Sequence, residues 1–276
     1  MKSLLFGPAG IPNSTPDRNT VNGIKHVKKL GLGSMELEFV RSINISEKLA
    51  PQVKKTAEDE GIILTCHGQY WVNLNASDND TLEKSKKRVL DACRRASDAG
   101  VWSICYHAAY NMGMEPKKVY ENVLKVMKEL SGQLKSEGNK IWLRPETAGK
   151  LSQFGDLKQM IDLSMELDNV LPCIDFAHHH ARTNGKCSSY EKFAEILEEI
   201  EKKLGKEALH NMHCHAEGIE YSEKGERNHL NLKESDFNYK ALMKALKDFG
   251  AKGVVTCESP NIEEDALLMK KCYDGL

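Results

Sequence analysis

Short apolar runs that end in an acid or a histidine recur along this chain, separated by stretches with helical spacing. The clearest runs are 61–66 before His67, 102–106 before His107, 141–145 before Glu146, 170–174 before Asp175, 211–212 before His213 and 253–257 before Glu258. Strands are predicted near residues 3–6, 34–39, 62–66, 102–106, 140–144, 170–174, 211–215 and 253–257, eight in all. Between them Leu82, Val89, Cys93 and Ala96 share one helical face, with Lys86, Lys87 and Arg88 largely off it. Gly31, Gly61, Gly100 and Gly250 stand where helices would end, just ahead of strands. Eight alternating strand–helix units predict a parallel sheet closed into a (β/α)8 TIM barrel rather than an open doubly wound sheet.

At 276 residues the chain suits one barrel of about 250 residues, and no linker or composition shift divides it, so one domain over 1–276 is expected. Such barrels gather their catalytic groups at the carboxyl ends of the strands. Six of the eight predicted strand ends carry a metal-ligand residue type. A metal cluster at that face is therefore expected, and one helix or one loop could not supply it. The longest irregular piece is 216–235, which holds Glu226 and His229. A loop of that length in a compact domain is usually functional.

A formal net charge of -1 excludes recruitment of nucleic acid by a global positive field and leaves a local basic rim as the only electrostatic route. No run approaches the roughly 20 apolar residues of a membrane span. Leu4-Leu5-Phe6 is stopped by Gly7-Pro8, too short for a secretory leader. The eight cysteines include no Cys-x-x-Cys pair, and several fall inside predicted strands. They read as reduced, buried thiols of a cytoplasmic protein.

Imidazole and carboxylate together suit zinc, and also manganese, iron or cobalt. Six such groups plus loop residues suffice for two or three metals if one carboxylate bridges, and paired metals are the usual device for breaking phosphodiesters. His178 follows Asp175 by three residues and can aim into the same cavity. His179 and His180 are expected to face solvent or to orient neighbours. His215 lies two residues beyond His213 and is expected behind it or as a spare ligand. His26 and His210 read as structural.

The ordered series Cys66-His67-Gly68-Gln69-Tyr70-Trp71-Val72-Asn73-Leu74, Tyr106-His107, Arg144-Pro145-Glu146-Thr147-Ala148-Gly149, Cys173-Ile174-Asp175-Phe176-Ala177-His178, Met212-His213, Glu226-Arg227-Asn228-His229 and Glu258-Ser259-Pro260 resembles the endonuclease IV family of apurinic/apyrimidinic endonucleases. The resemblance implies a TIM barrel with up to three zinc ions, manganese being an alternative. It implies that His67, His107 and Glu146 hold the first metal and that Glu146 bridges to a second, completed by Asp175, His213 and Glu258. His178, Glu226 and His229 would hold a third. Glu146 and Glu258 would be the catalytic carboxylates, the substrate duplex DNA with an abasic site, and the product a 3′-OH. Tyr70 and Trp71 fall where the family inserts side chains into the minor groove to expel the lesion nucleotide. The protein is expected to act as a monomer without an obligate protein partner.

The sequence departs from that pattern in places. Glu226 stands where the family has aspartate, and Asn228 adds one residue to the usual acid-Arg-His spacing. Lys233-Glu234-Ser235 replaces a Gly-Glu-Gly, and Phe6–Pro12 replaces the family's opening His-Val-Ser-x-x-Gly-Gly. The Asn-x-Arg segment after strand two is missing, with Arg41 the nearest substitute as a phosphate contact. Two other expectations stand beside the nuclease. One is a metal-dependent sugar isomerase or epimerase of the wider xylose isomerase-like barrels, for which Glu38 would suit a small-molecule pocket. The other is a barrel that binds damaged DNA without turnover.

Overall fold

A computed structural model describes residues 1–276. Eight parallel strands line the centre: β1 (Leu4–Pro8), β2 (Ser34–Glu38), β3 (Ile63–His67), β4 (Ser103–Tyr106), β5 (Trp142–Pro145), β6 (Cys173–Asp175), β7 (Met212–Ala216) and β8 (Gly253–Cys257). They pair as two runs of four, β1-β8-β7-β6 and β2-β3-β4-β5. Parallel bridges Ala9↔Glu36, Leu143↔Val170 and Glu146↔Cys173 join the runs into a closed TIM barrel, with helices packed outside.

Each predicted strand overlaps an observed one, but bounds move. The sixth was expected over 170–174, whereas β6 is only Cys173–Asp175. Pro172 has no N–H to give the ladder, so Val170 contributes a single bridge before the strand proper begins. The larger correction concerns 216–235, expected to be irregular. It folds as an antiparallel hairpin of Gly218–Ser222 with Gly225–Leu230.

The barrel interior is polar. Ser34, Glu36, Thr65, Ser103, Arg144, His213 and His215 are all buried, where most such barrels stack branched apolar residues. Contacts between non-neighbouring strands show that these side chains point inward. Ser103 Oγ on β4 meets His213 Nδ1 on β7 at 3.0 Å, and His213 Nε2 meets Glu36 Oε2 on β2 at 2.8 Å. At the floor, Arg144 donates to Ser103 Oγ, to the Pro172 carbonyl and to both the carbonyl and the side-chain oxygen of Asn211. Its guanidinium also lies over Trp102 at 5.0 Å and Trp142 at 5.5 Å. Burial pulls its pKa down to about 10, so the charge persists at neutral pH, held by oxygens and π-faces rather than by a carboxylate.

Candidate metal centre at the barrel mouth

Each ligand-type residue reaches the mouth through a local device. Asp175 ends β6 and caps the helix Phe176–Arg182, its Oδ1 accepting from His178 N at 2.6 Å. That leaves Oδ2 for the cleft and starts the helix that turns His178 inward, with His178 Nδ1 2.9 Å from Asp175 Oδ2. The hairpin docks because two glycines meet. A Cβ on Gly225 (φ +93) would lie 2.1 Å from the Gly149 carbonyl oxygen, and one on Gly149 would lie 2.5 Å from Glu226 Cβ. Any larger residue at either position would lift Glu226 off the site.

The extra residue between Glu226 and His229 is absorbed by the hairpin. Glu220 pairs with Asn228 and Tyr221 with Glu226, which leaves Arg227 as the unpaired residue of a β-bulge. In a regular strand, side chains three apart face opposite ways. With the bulge both reach His178 Nε2, His229 Nε2 at 3.3 Å and Glu226 Oε2 at 3.6 Å.

Glu146 is the hub. Its Oε2 lies 3.2 Å from His67 Nε2 and 3.9 Å from His107 Nε2, while its Oε1 lies 3.3 Å from both His178 Nδ1 and His215 Nδ1. Four groups of donor atoms converge around it, each with atoms within 4.8 Å of one another: His67 with Cys105 and Glu146; His107 with Glu146 and His178; Glu146 with Asp175, His215 and Glu258; and His178 with Glu217, His229 and Glu258. The cleft above them has a volume of about 310 Å³ and is bordered by Glu38, Tyr70, Glu226, Ser259 and Pro260.

The structure corrects one expected ligand. His213 does not enter the mouth: it sits deeper, between Ser103 and Glu36. His215, expected behind it or as a spare ligand, is the one at the mouth, with Nδ1 3.6 Å from Glu258 Oε1 and 4.0 Å from Asp175 Oδ2. Its Nε2 rests on Glu36 Oε1 at 3.0 Å. Sequence reasoning missed two acids here. Glu36 alternates with Glu38 on β2 and so faces the same interior. Glu217 follows β7 directly, fully buried, with neither carboxylate oxygen hydrogen-bonded. His180 is buried and bonded to Asp236 at 3.1 Å, which ties the helix to the segment following the hairpin. Tyr70 and Trp71 are exposed at the rim, 51% and 57%, and Arg41 is exposed on the loop after β2.

Electrostatics fit a cation site. Burial raises Glu146, but the charges of His107 and His215 outweigh it and hold the carboxyl well below its usual range. Burial likewise disfavours the His67 cation, yet the Glu146 carboxylate beside it lifts it to about 10. Without a metal, protonated imidazoles balance the carboxylates, and bound cations would release those protons. Glu38 and Glu217 lack that balance. Burial, with Glu36 beside it, pushes Glu38 up to about 8; burial, with Asp175 and Glu258, pushes Glu217 well up. Both oxygens of Glu146, Oδ2 of Asp175 and Nδ1 of His215 are buried without a hydrogen-bond partner. Orphaned atoms of this kind are what a metal would satisfy. The Gly68, Thr147 and Glu258 carbonyls lie 2.8, 3.2 and 3.3 Å from Nδ1 of His67, His178 and His229. A carbonyl can only accept, so the neutral rings keep their proton there and leave the Nε2 lone pair toward the cleft.

The xylose isomerase-like TIM barrel family matches residues 24–272, and the chain belongs to it. An uncharacterized protein of Methanocaldococcus jannaschii is 41% identical over 273 residues, covering 99% of this chain and 98% of that one. A probable endonuclease 4 of Persephonella marina is 24% identical over 186 residues, 66% of this chain and 64% of that one. Among solved structures, a D-tagatose 3-epimerase-like protein superposes with a TM-score of 0.74 at 17% identity, covering 100% of this chain and 96% of that one. Endonuclease IV from Thermus thermophilus superposes with a TM-score of 0.70 at 19% identity, covering 100% and 98%. At these identities the superpositions establish the fold. No helix is long and apolar enough to cross a membrane.

Proposed function

We propose that this chain is a zinc-dependent phosphodiesterase that incises duplex DNA 5′ to abasic sites and leaves a 3′-OH. The observation that carries the reading is the crowding of the cleft. The set Glu146, Asp175, His215 and Glu258 is enough for one metal, yet His67, His107, His178, Glu226 and His229 converge on the same space. An isomerase with a single metal has no use for them. The likeness to a probable endonuclease 4 supports the same reading, and eight free cysteines accord with a cytoplasmic location.

In this reading His67, His107 and Glu146 would hold one zinc, Glu146, Asp175, His215 and Glu258 a second, and His178, Glu226 and His229 a third. Zinc there would supply Lewis-acid stabilisation of charge on phosphoryl oxygens and lower the pKa of an attacking water. The chain's own groups set the geometry. Glu258 lies 3.6 Å from His215 Nδ1 and shares donor groups with Glu146, Asp175 and His215 on one side and with His178 and His229 on the other. The cleft of about 310 Å³ admits a sugar-phosphate but not a stacked base pair, so the target nucleotide must leave the helix. Tyr70 and Trp71 at the rim fill the space it vacates, and Arg41 contacts a phosphate.

The test is incision of a duplex bearing a tetrahydrofuran abasic analogue, abolished by EDTA and restored by zinc. No incision by fully metallated protein would sink the proposal, and tight binding without cleavage would favour a non-catalytic barrel. A second prediction ranks the two histidines of β7. His215→Ala costs incision about 10³-fold, the scale of losing about 4 kcal/mol of transition-state stabilisation. His213→Ala costs about 10–100-fold, as for a group that orients a ligand. The reverse ranking would return the ligand role to His213.

One observation favours a sugar epimerase. Glu38 borders the cleft with a buried, unpartnered Oε1, placed to carry a proton to or from a small substrate. About one metal per chain, with C–H exchange of a ketohexose in D2O, would establish that reading instead.

A further inference from the structure

We infer that Cys105, Cys173, His213 and His215 form a separate, closed metal site in the barrel interior, beneath the mouth, that takes a thiophilic cation of the zinc class. The four residues come from β4, β6 and β7, all are fully buried, and they offer one donor atom each within 4.8 Å of one another. Around tetrahedral zinc, with bonds of about 2.3 Å to sulfur and about 2.0–2.1 Å to nitrogen, neighbouring donors stand roughly 3.3–3.8 Å apart. Cys105 Sγ and His215 Nε2 already lie 3.6 Å apart. The remaining donors need to close by no more than about 1 Å.

Cys105 Sγ donates to the Cys66 carbonyl at 3.5 Å, and neither thiol is placed for a disulfide. Strands β4 and β6 flank β5, so the two cysteine backbones are two strand spacings apart, roughly 9–10 Å. That exceeds the reach of a disulfide, about 7 Å between Cα atoms, but not of a shared ion. Apolar packing would be served better by valine or leucine, the usual fill of a barrel core. Both imidazoles also turn Nε2 to one point, where Glu36 touches them at 2.8 and 3.0 Å and lies 3.9 Å from Cys105 Sγ. Glu36 lies beside this group without belonging to it, and its charge would offset that of the cation. Ser103 Oγ can accept a proton from His213 Nδ1, which frees Nε2 to ligate. Thiolate donors select zinc, cadmium or copper(I) over magnesium or manganese. Burial on every side leaves no open coordination position, as in structural rather than catalytic zinc sites.

His215 faces the mouth with Nδ1 and this site with Nε2, so filling both sides at once would require the ring to give up its remaining proton and bridge as an imidazolate. The interior site stands whether the mouth hydrolyses DNA or epimerises sugars. Cobalt distinguishes the sites through Cys173, because Cys105 also stands in a mouth cluster with His67 and Glu146 whereas Cys173 belongs only to the interior group. Whole protein unfolded and refolded with Co²⁺ is expected to show thiolate-to-cobalt charge-transfer absorption in the near ultraviolet. Cys173→Ser is expected to lose most of that band and about one metal per chain. X-ray absorption of the wild-type zinc protein gives a second readout that needs no variant, with sulfur expected at about 2.3 Å. A fully cobalt-loaded wild type without the band, an unchanged band in Cys173→Ser, or a zinc shell free of sulfur overturns the site.

Discussion

Glu146→Gln is expected to lower incision by about 10³-fold or more and to reduce bound metal. The carboxylate meets four imidazoles, His67 and His107 through one oxygen and His178 and His215 through the other. Glutamine keeps the shape but replaces one of those oxygens with an amide nitrogen that cannot ligate, and it removes the charge that both cations would share. A loss of about 4 kcal/mol of transition-state stabilisation corresponds to about 10³ in rate. Single-turnover incision together with elemental analysis measures both effects. Wild-type rate and metal content in the variant would remove Glu146 from the centre. His179→Ala serves as the control, since that ring touches none of the converging groups; it is expected to leave the rate nearly unchanged.

The largest effect on stability is expected at the opposite end of the barrel. Arg144→Ala should cost about 3–5 kcal/mol, from the space left by a large buried side chain and from acceptors stripped of their donor. Ser103 Oγ, the Pro172 carbonyl and the Asn211 carbonyl and side chain would each lose a hydrogen bond, and Trp102 and Trp142 would lose the cation against which they pack. The melting temperature should fall by about 5–15 °C. Arg144→Lys should recover little, because an ammonium cannot reproduce the planar fork. A variant that melts with the wild type would mean that the barrel floor closes without this residue.

Much of the fold could be read from the chain because short apolar runs and glycine helix ends are local signals. The ligand types at the strand ends were equally plain. Depth along a strand was not. His213 and His215 lie two residues apart and face the same way, so periodicity cannot say which of them reaches the mouth. That choice depends on how each strand is offset against its neighbours, here Cys173 against His213 and Asp175 against His215. Glu36 could have been found, since it alternates with Glu38 in Ser34-Met35-Glu36-Leu37-Glu38. The hairpin also left a trace, in the alternation of Ile219-Glu220-Tyr221-Ser222 and in Gly225 just after the turn at Glu223-Lys224. Glu217 carried no signal beyond its place after a strand. Its role depends on the walls the tertiary fold builds around it.

Between Glu226 and His229 the hairpin counts three residues along the chain but two in space. The bulge works as a parity correction: it takes up one residue while the flanking side chains keep one facing. An extra residue that would have turned one of these side chains away in a regular strand leaves both facing His178. Removing Arg227 alone should let the hairpin pair as an unbroken ladder with both side chains still aimed at His178. The spacing of an acid and a histidine along such a strand is therefore free to drift by one, provided that a bulge drifts with it.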